Sequence, residues 1–122
     1  MFQYMTNLTA LGLEGNNFYG TLPPSFSVLH KLYNMHLSSN LLSGTIPSFI
    51  ATMAGIQDLV LYSNKFSSGG SGSTAAFTNA QIQTKLQTID ISNNEFTGQL
   101  MTDPFKLPSL EQFIVVGNCF QG

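Results

Sequence analysis

The chain has 122 residues, 43% of them hydrophobic and only 8% charged, with four lysines, no arginine and six acids for a net charge of −2. This length fits one compact unit, and the charge balance excludes a nucleic-acid partner, which needs clustered Lys and Arg to neutralise phosphate. No apolar run approaches the ~18 residues of a membrane span, so no membrane contact is expected of this segment, and the lone Cys119 allows no internal disulfide.

In chain order, the first fifteen residues, "MFQYMTNLTALGLEG", lack a basic start and a continuous apolar run, and do not read as a signal peptide. From Leu8 the sequence repeats on the pattern LxxLxLxxNxL. The copies are Leu8/Leu11/Leu13/Asn16/Phe18, Leu32/Met35/Leu37/Asn40/Leu42, Ile56/Leu59/Leu61/Asn64/Phe66, Leu86/Ile89/Ile91/Asn94/Phe96 and Leu110/Phe113/Val115/Asn118/Phe120. Their first positions are 24, 24, 30 and 24 residues apart. Second halves follow: "GTLPPSF" after Phe18, "GTIPSFI" after Leu42 and "GQLMTDPF" after Phe96. The units are 8–31, 32–55, 56–85 and 86–109, with a truncated copy at 110–122. Counting back by threes from Leu8 gives Met5 and Phe2, the spacing that ends each repeat at Phe26, Leu29 and Leu32. Residues 1–7 therefore read as the tail of a preceding coil, and the array is expected to continue into further coils at both ends.

Strand alternation points the leucines of LxLxx inward and the x residues outward. One repeat cannot bury its leucines alone, but stacked coils can, at about 1.5–3 kcal/mol per large apolar side chain. The ninth-position asparagines, Asn16, Asn40, Asn64, Asn94 and Asn118, are expected to turn inward. There each amide can donate and accept at once, satisfying backbone groups of adjacent turns. Gly20, Gly44 and Gly98 suit the bend that follows.

This pattern resembles the plant-type leucine-rich repeat, LxxLxLxxNxLxGxIP, over nearly the whole chain. The resemblance implies a solenoid of the α/β horseshoe class with about five coils. One short strand per coil would form a parallel concave sheet, with helical turns and loops on the convex side. It also implies a non-catalytic protein- or peptide-recognition module with no cofactor. The expected setting is the extracellular ligand-binding region of a receptor-like kinase or receptor-like protein at the cell surface. The alternatives are a secreted protein of the polygalacturonase-inhibitor type and an intracellular scaffold. The cysteine-paired caps of secreted members are absent. Asn7 opens the only N-glycosylation sequon, Asn7-Leu8-Thr9, where the convex side meets the strand.

Outward positions on the concave face form columns. The third reads Ala10, Asn34, Asp58, Thr88, Gln112; the fifth Gly12, His36, Val60, Asp90, Ile114. The seventh reads Glu14, Ser38, Tyr62, Ser92, Val116; the eighth Gly15, Ser39, Ser63, Asn93, Gly117. Candidate ligand contacts are His36, Asp58, Val60, Tyr62, Asp90, Ser92, Ile114 and Val116, because aromatic and apolar groups stand there where solvent is expected.

His36, Ser38, Asp58 and Asp90 include the residue types of a triad, but His36 and Asp90 lie two coils apart, about 10 Å by strand spacing. No Gly-x-Ser-x-Gly elbow occurs. His30 and His36 lie on different sides of the coil and do not form a metal site. "GGSG" at 69–72 lacks the GK[ST] of a phosphate loop. Cys119 reads as a free thiol at a coil edge.

The long step contains "NKFSSGGSGSTAAFTNAQIQTKL". Asn64, Phe66 and Leu86 keep their repeat positions, so only six residues are extra, within an enlarged convex segment at 67–85. Phe77, Ile82 and Leu86 are spaced for a short helix with Ser73 or Thr74 as N-cap.

Overall fold

The computed structural model describes residues 4–69, 77–100 and 103–121. The expected N-cap at Ser73 or Thr74, most of the GGSG run, Phe2 and Gly122 lie outside these described residues.

The five LxL segments become five short strands: β1 (Ala10–Gly12), β3 (Asn34–His36), β5 (Asp58–Val60), β7 (Thr88–Asp90) and β9 (Gln112–Ile114). They pair in parallel as one sheet in the order β1-β3-β5-β7-β9. The register is unbroken: Leu11 faces Met35, Met35 faces Leu59, Leu59 faces Ile89, and Ile89 faces Phe113. The 30-residue step therefore leaves no slip in this sheet. The architecture is a leucine-rich repeat solenoid.

Inside the solenoid, Leu32, Met35, Ile56, Leu59, Leu61, Leu86, Ile89 and Ile91 have essentially no exposed surface. Leu8, Leu13, Leu110, Phe113 and Val115, the same positions in the outermost copies, are only partly buried because they stack against a neighbour on one side alone. Burial here depends on the next coil, as expected where each repeat contacts only its neighbours.

The asparagine column runs through this core. Asn64 Nδ2 donates to the carbonyl of Leu37 at 2.9 Å, one coil back, and to Leu61 at 3.2 Å. Its Oδ1 accepts the Leu42 N–H at 3.0 Å. Asn40, Asn94 and Asn118 repeat the arrangement, taking N–H groups of Phe18, Phe66 and Phe96. Asn16, expected to turn inward with the others, is instead exposed and bonds within its own coil, to Leu13 and Glu14, because among the described residues no coil lies before it to take the amide.

Two features depart from the expected layout. First, each coil has a second strand where one was expected: β2 (Tyr19–Gly20), β4 (Leu41–Gly44), β6 (Lys65–Phe66), β8 (Thr97–Gln99) and β10 (Cys119–Gln121). These follow the asparagine of their own coil, and in β2, β4, β6 and β8 the next coil's asparagine Oδ1 accepts an N–H at or just before the strand. They form two sheets, β2-β4-β6 and β8-β10, interrupted at the enlarged coil. Second, the segment before Leu86 is a series of turns rather than a helix bearing Phe77, Ile82 and Leu86 on one face. Ile82 is exposed, and Gln83 is fully buried in its place. Gln83 stands three residues before Leu86, as Leu29, Met53 and Leu107 stand before the first residue of their following copies. Its Nε2 donates to the Ile50 and Phe77 carbonyls at 2.9 and 3.0 Å, and its Oε1 accepts the Asn79 N–H at 2.6 Å. The periodicity placed an apolar group on this face; the turn at Asn79 instead needed a buried partner for its backbone.

The other returning segments contain 3-10 turns at Pro24–Val28, Ser48–Thr52 and Asp103–Lys106. Each of the first two follows a proline, Pro23 or Pro47, in extended conformation, and buries Phe26 or Ile50.

Candidate functional site

The five-stranded sheet has one face on the leucine core and one face open. The strand register sets side by side the outward residues Gly12, His36, Val60, Asp90 and Ile114. Ala10, Asn34, Asp58, Thr88 and Gln112 form a second row, two residues earlier. Past the strand ends the ladder continues: Leu61 N–H donates to Asp90 O and Ser63 N–H to Ser92 O. Tyr62, Ser92 and Val116 therefore stand abreast.

The rows are not level. Tyr62 and Ile114 are each 37% exposed and Val116 is 67% exposed. Ser92, between Tyr62 and Val116, is only 6% exposed, and Ser38 is likewise buried. Ser92 was among the expected ligand contacts, but its hydroxyl is committed. It donates to Asp90 Oδ1 at 2.6 Å, and the Ser92 N–H donates to the same oxygen at 3.0 Å. A small side chain turned onto its neighbour makes a floor rather than a contact. His36, Val60, Asp58 and Asp90 are partly buried.

The two carboxylates are held differently. Asp90 is tied by Ser92 through one oxygen. Asp58 receives the Asn34 amide, which, turned so that its nitrogen meets acceptors, donates to Asp58 Oδ2 at 2.6 Å and to the Tyr33 carbonyl at 3.2 Å. The His36 Nε2 is buried and makes no hydrogen bond among the described residues. The registered order His36, Val60, Asp90 puts Val60 between the imidazole and that carboxylate. The described residues thus do not assemble a Ser-His-Asp relay there.

The eighth column does not offer a flat row of contacts. Gly15, Ser39, Ser63, Asn93 and Gly117 all have positive φ, between 52° and 73°, and turn the chain away from the sheet. Off this face, an apolar cavity of about 260 Å³ opens beside β2, lined by Leu13, Phe18, Tyr19, Leu22, Phe26 and Leu42 among others. Among the described residues, no group of three or more His, Cys, Asp or Glu could hold a metal ion, and no helix is long and apolar enough to cross a membrane.

The family profile described as Leucine Rich Repeat matches residues 7–29, 31–53 and 85–107. Receptor-like protein 43 of Arabidopsis thaliana is 35% identical over 98 residues, which are 80% of this chain and 13% of that protein. The plant peptide hormone receptor RGFR1, solved in complex with RGF2, superposes on 98% of this chain with a TM-score of 0.85 at 25% identity, over 18% of its own chain. The ectodomain of the Arabidopsis receptor kinase HAESA, solved with an N-terminally extended IDA peptide hormone, gives a TM-score of 0.83 at 25% identity, covering 98% of this chain and 19% of that one. This chain thus spans 13% of that receptor-like protein and under a fifth of either receptor.

Proposed function

The chain belongs to the leucine-rich repeat family, and from that footing we propose that it is a ligand-recognition segment of a plant-type receptor ectodomain. The observation that carries this reading is the open sheet face, where Tyr62, Ile114 and Val116 expose apolar and aromatic surface beside two fixed carboxylates. Exposed aromatic and branched side chains on a rigid sheet are good anchors for a partner, because little side-chain freedom is lost on binding. The partner is a protein or peptide lying across the strands. Its contacts are His36, Asp58, Val60, Tyr62, Asp90, Ile114 and Val116, with Ser92 as floor. The likeness to RGFR1, a plant peptide hormone receptor, and to HAESA, solved with a peptide hormone, supports this class of ligand. The segment itself acts by binding and not by catalysis.

The setting that follows is the cell surface, and Asn7 is then a glycosylation site. Asn7 is exposed, and its Oδ1 accepts from Lys31 Nζ at 2.7 Å, so the sequon stands at the surface. The experiment is to tag the full-length parent in plant cells. Surface protease should remove the segment from intact cells, and a glycosidase-sensitive mass should disappear in Thr9→Ala. A protein retained in the cytosol, without that mass, sinks the reading.

A further inference from the structure

The charges on this chain are segregated. Glu14, Asp58 and Asp90, half of the six acids, occupy outward positions of the sheet, whereas Lys31, Lys65, Lys85 and Lys106 all lie elsewhere. No arginine exists to offset them. The acidic side chains of the open face, Glu14, Asp58 and Asp90, therefore have His36 as the face's one basic group. A ligand on this face meets carboxylates that the protein has not neutralised.

Asp90 is the best placed. The Ser92 hydroxyl and N–H both occupy its Oδ1, at 2.6 and 3.0 Å, which locks the carboxylate in one orientation. Its Oδ2 meets no donor among the described residues. In front of it lies the dip over Ser92, walled by Tyr62 and Val116, whose backbones are two strand spacings, about 10 Å, apart.

We propose that this face takes an extended peptide bearing a lysine or arginine, whose side chain enters between Tyr62 and Val116 and ends on Asp90 Oδ2. The inference rests on the reading that the open face binds a peptide, and it names that peptide's chemistry. A cationic side chain suits every surface it would touch. Its stem covers the Tyr62 ring and Val116, its head gains from the ring's negative face, and the carboxylate supplies a charge-assisted hydrogen bond. Asp58 lies one strand away and one side-chain period back, about 8 Å from Asp90. That places it to attract a second cationic group or an N-terminal amine.

The test uses pools of extended nonapeptides, random except for a central Lys, norleucine or Glu, captured by the whole chain. The Lys pool should be retained at least about tenfold better than the norleucine pool, with Glu weakest, as expected when one partner of a desolvated charge pair is removed. Asp90→Asn keeps an oxygen for Ser92 to bind and replaces the charged Oδ2 with an amide nitrogen that cannot accept from the cation; with the fold checked by circular dichroism, it should level Lys with norleucine. Asp90→Lys should reverse the order in favour of Glu. Equal capture of Lys and norleucine, with both losing to Val116→Asp, would overturn the cationic anchor and leave the face as the binding surface. Capture insensitive to Val116→Asp and to Tyr62→Ala, or no capture of any pool, would overturn both.

Discussion

The Ser68 hydroxyl donates to the Thr97 carbonyl at 2.9 Å and accepts the Thr97 N–H at 3.1 Å, across 29 residues of chain. One side chain thereby supplies both bonds that a paired backbone would have made. It stands where the second row of strands is interrupted between β6 and β8, which are joined by an isolated bridge from Ser67 to Glu95. The enlarged coil leaves the ladder at this residue, and its hydroxyl closes the gap.

Ser68→Ala should therefore be costly for so small a change. It leaves a Thr97 N–H and C=O without their partner, at roughly 1–3 kcal/mol. Ser67→Ala, whose side chain has no such role, should shift stability by under ~0.5 kcal/mol. Urea unfolding of the two variants checks the contrast; equal midpoints would remove Ser68 from this role.

The asparagines should not be equivalent. Asn64→Ala strips the Leu37 carbonyl and the Leu42 N–H of buried partners in another coil and should cost at least 1–3 kcal/mol, about the loss expected for buried unsatisfied groups. Asn16→Ala touches only exposed carbonyls of its own coil and should cost less than about 1 kcal/mol. Thermal melts at matched concentration decide; similar losses would mean that the inter-coil bonds contribute little.

Gln83 predicts an apparent paradox. Gln83→Leu completes an apolar column with Leu29, Met53 and Leu107, yet it should destabilise by roughly 1–3 kcal/mol, because the Asn79 N–H and Phe77 carbonyl lose their partner. Gln83→Ala adds a cavity and should cost more, on the order of 2–5 kcal/mol. A Leu variant more stable than the parent would show that the turn at Asn79 adapts freely.

The turn after the sheet should respond to glycine with opposite signs. Ser63 sits at φ 56°, where a side chain costs about 1 kcal/mol, so Ser63→Gly should be neutral to stabilising by up to that amount. Gly117→Ala should destabilise: its φ is 73°, and the new Cβ would run into the Asn93 side chain. Calorimetry on the pair tests it, and a stable Gly117→Ala would mean that Asn93 swings aside.

The residues that carry these predictions divide by how far their environment repeats. Asn40, Asn64, Asn94 and Asn118 meet the same surroundings in successive coils, so their spacing alone placed them beside the backbone groups they serve. The same holds for the inward leucines and for the columns in which Tyr62, Asp90 and Val116 were placed. The second strands are less visible, because they consist of two to four residues, and four of the five are aligned by an asparagine one coil further on rather than by an apolar alternation of their own.

By itself the sequence determined the repeat, its register, the buried columns and which side chains face the open sheet, because strand alternation and a nearly constant coil length transmit a local pattern along the array. Only the tertiary structure decided depth and partnership. It sank Ser92 between Tyr62 and Val116, turned its hydroxyl onto Asp90, drew Gln83 into the core in place of Ile82, and set Ser68 against Thr97. Each of these depends on the path of one irregular coil or on which neighbour a short polar group can reach. Those contacts join residues up to 33 positions apart, and no period in the chain encodes them.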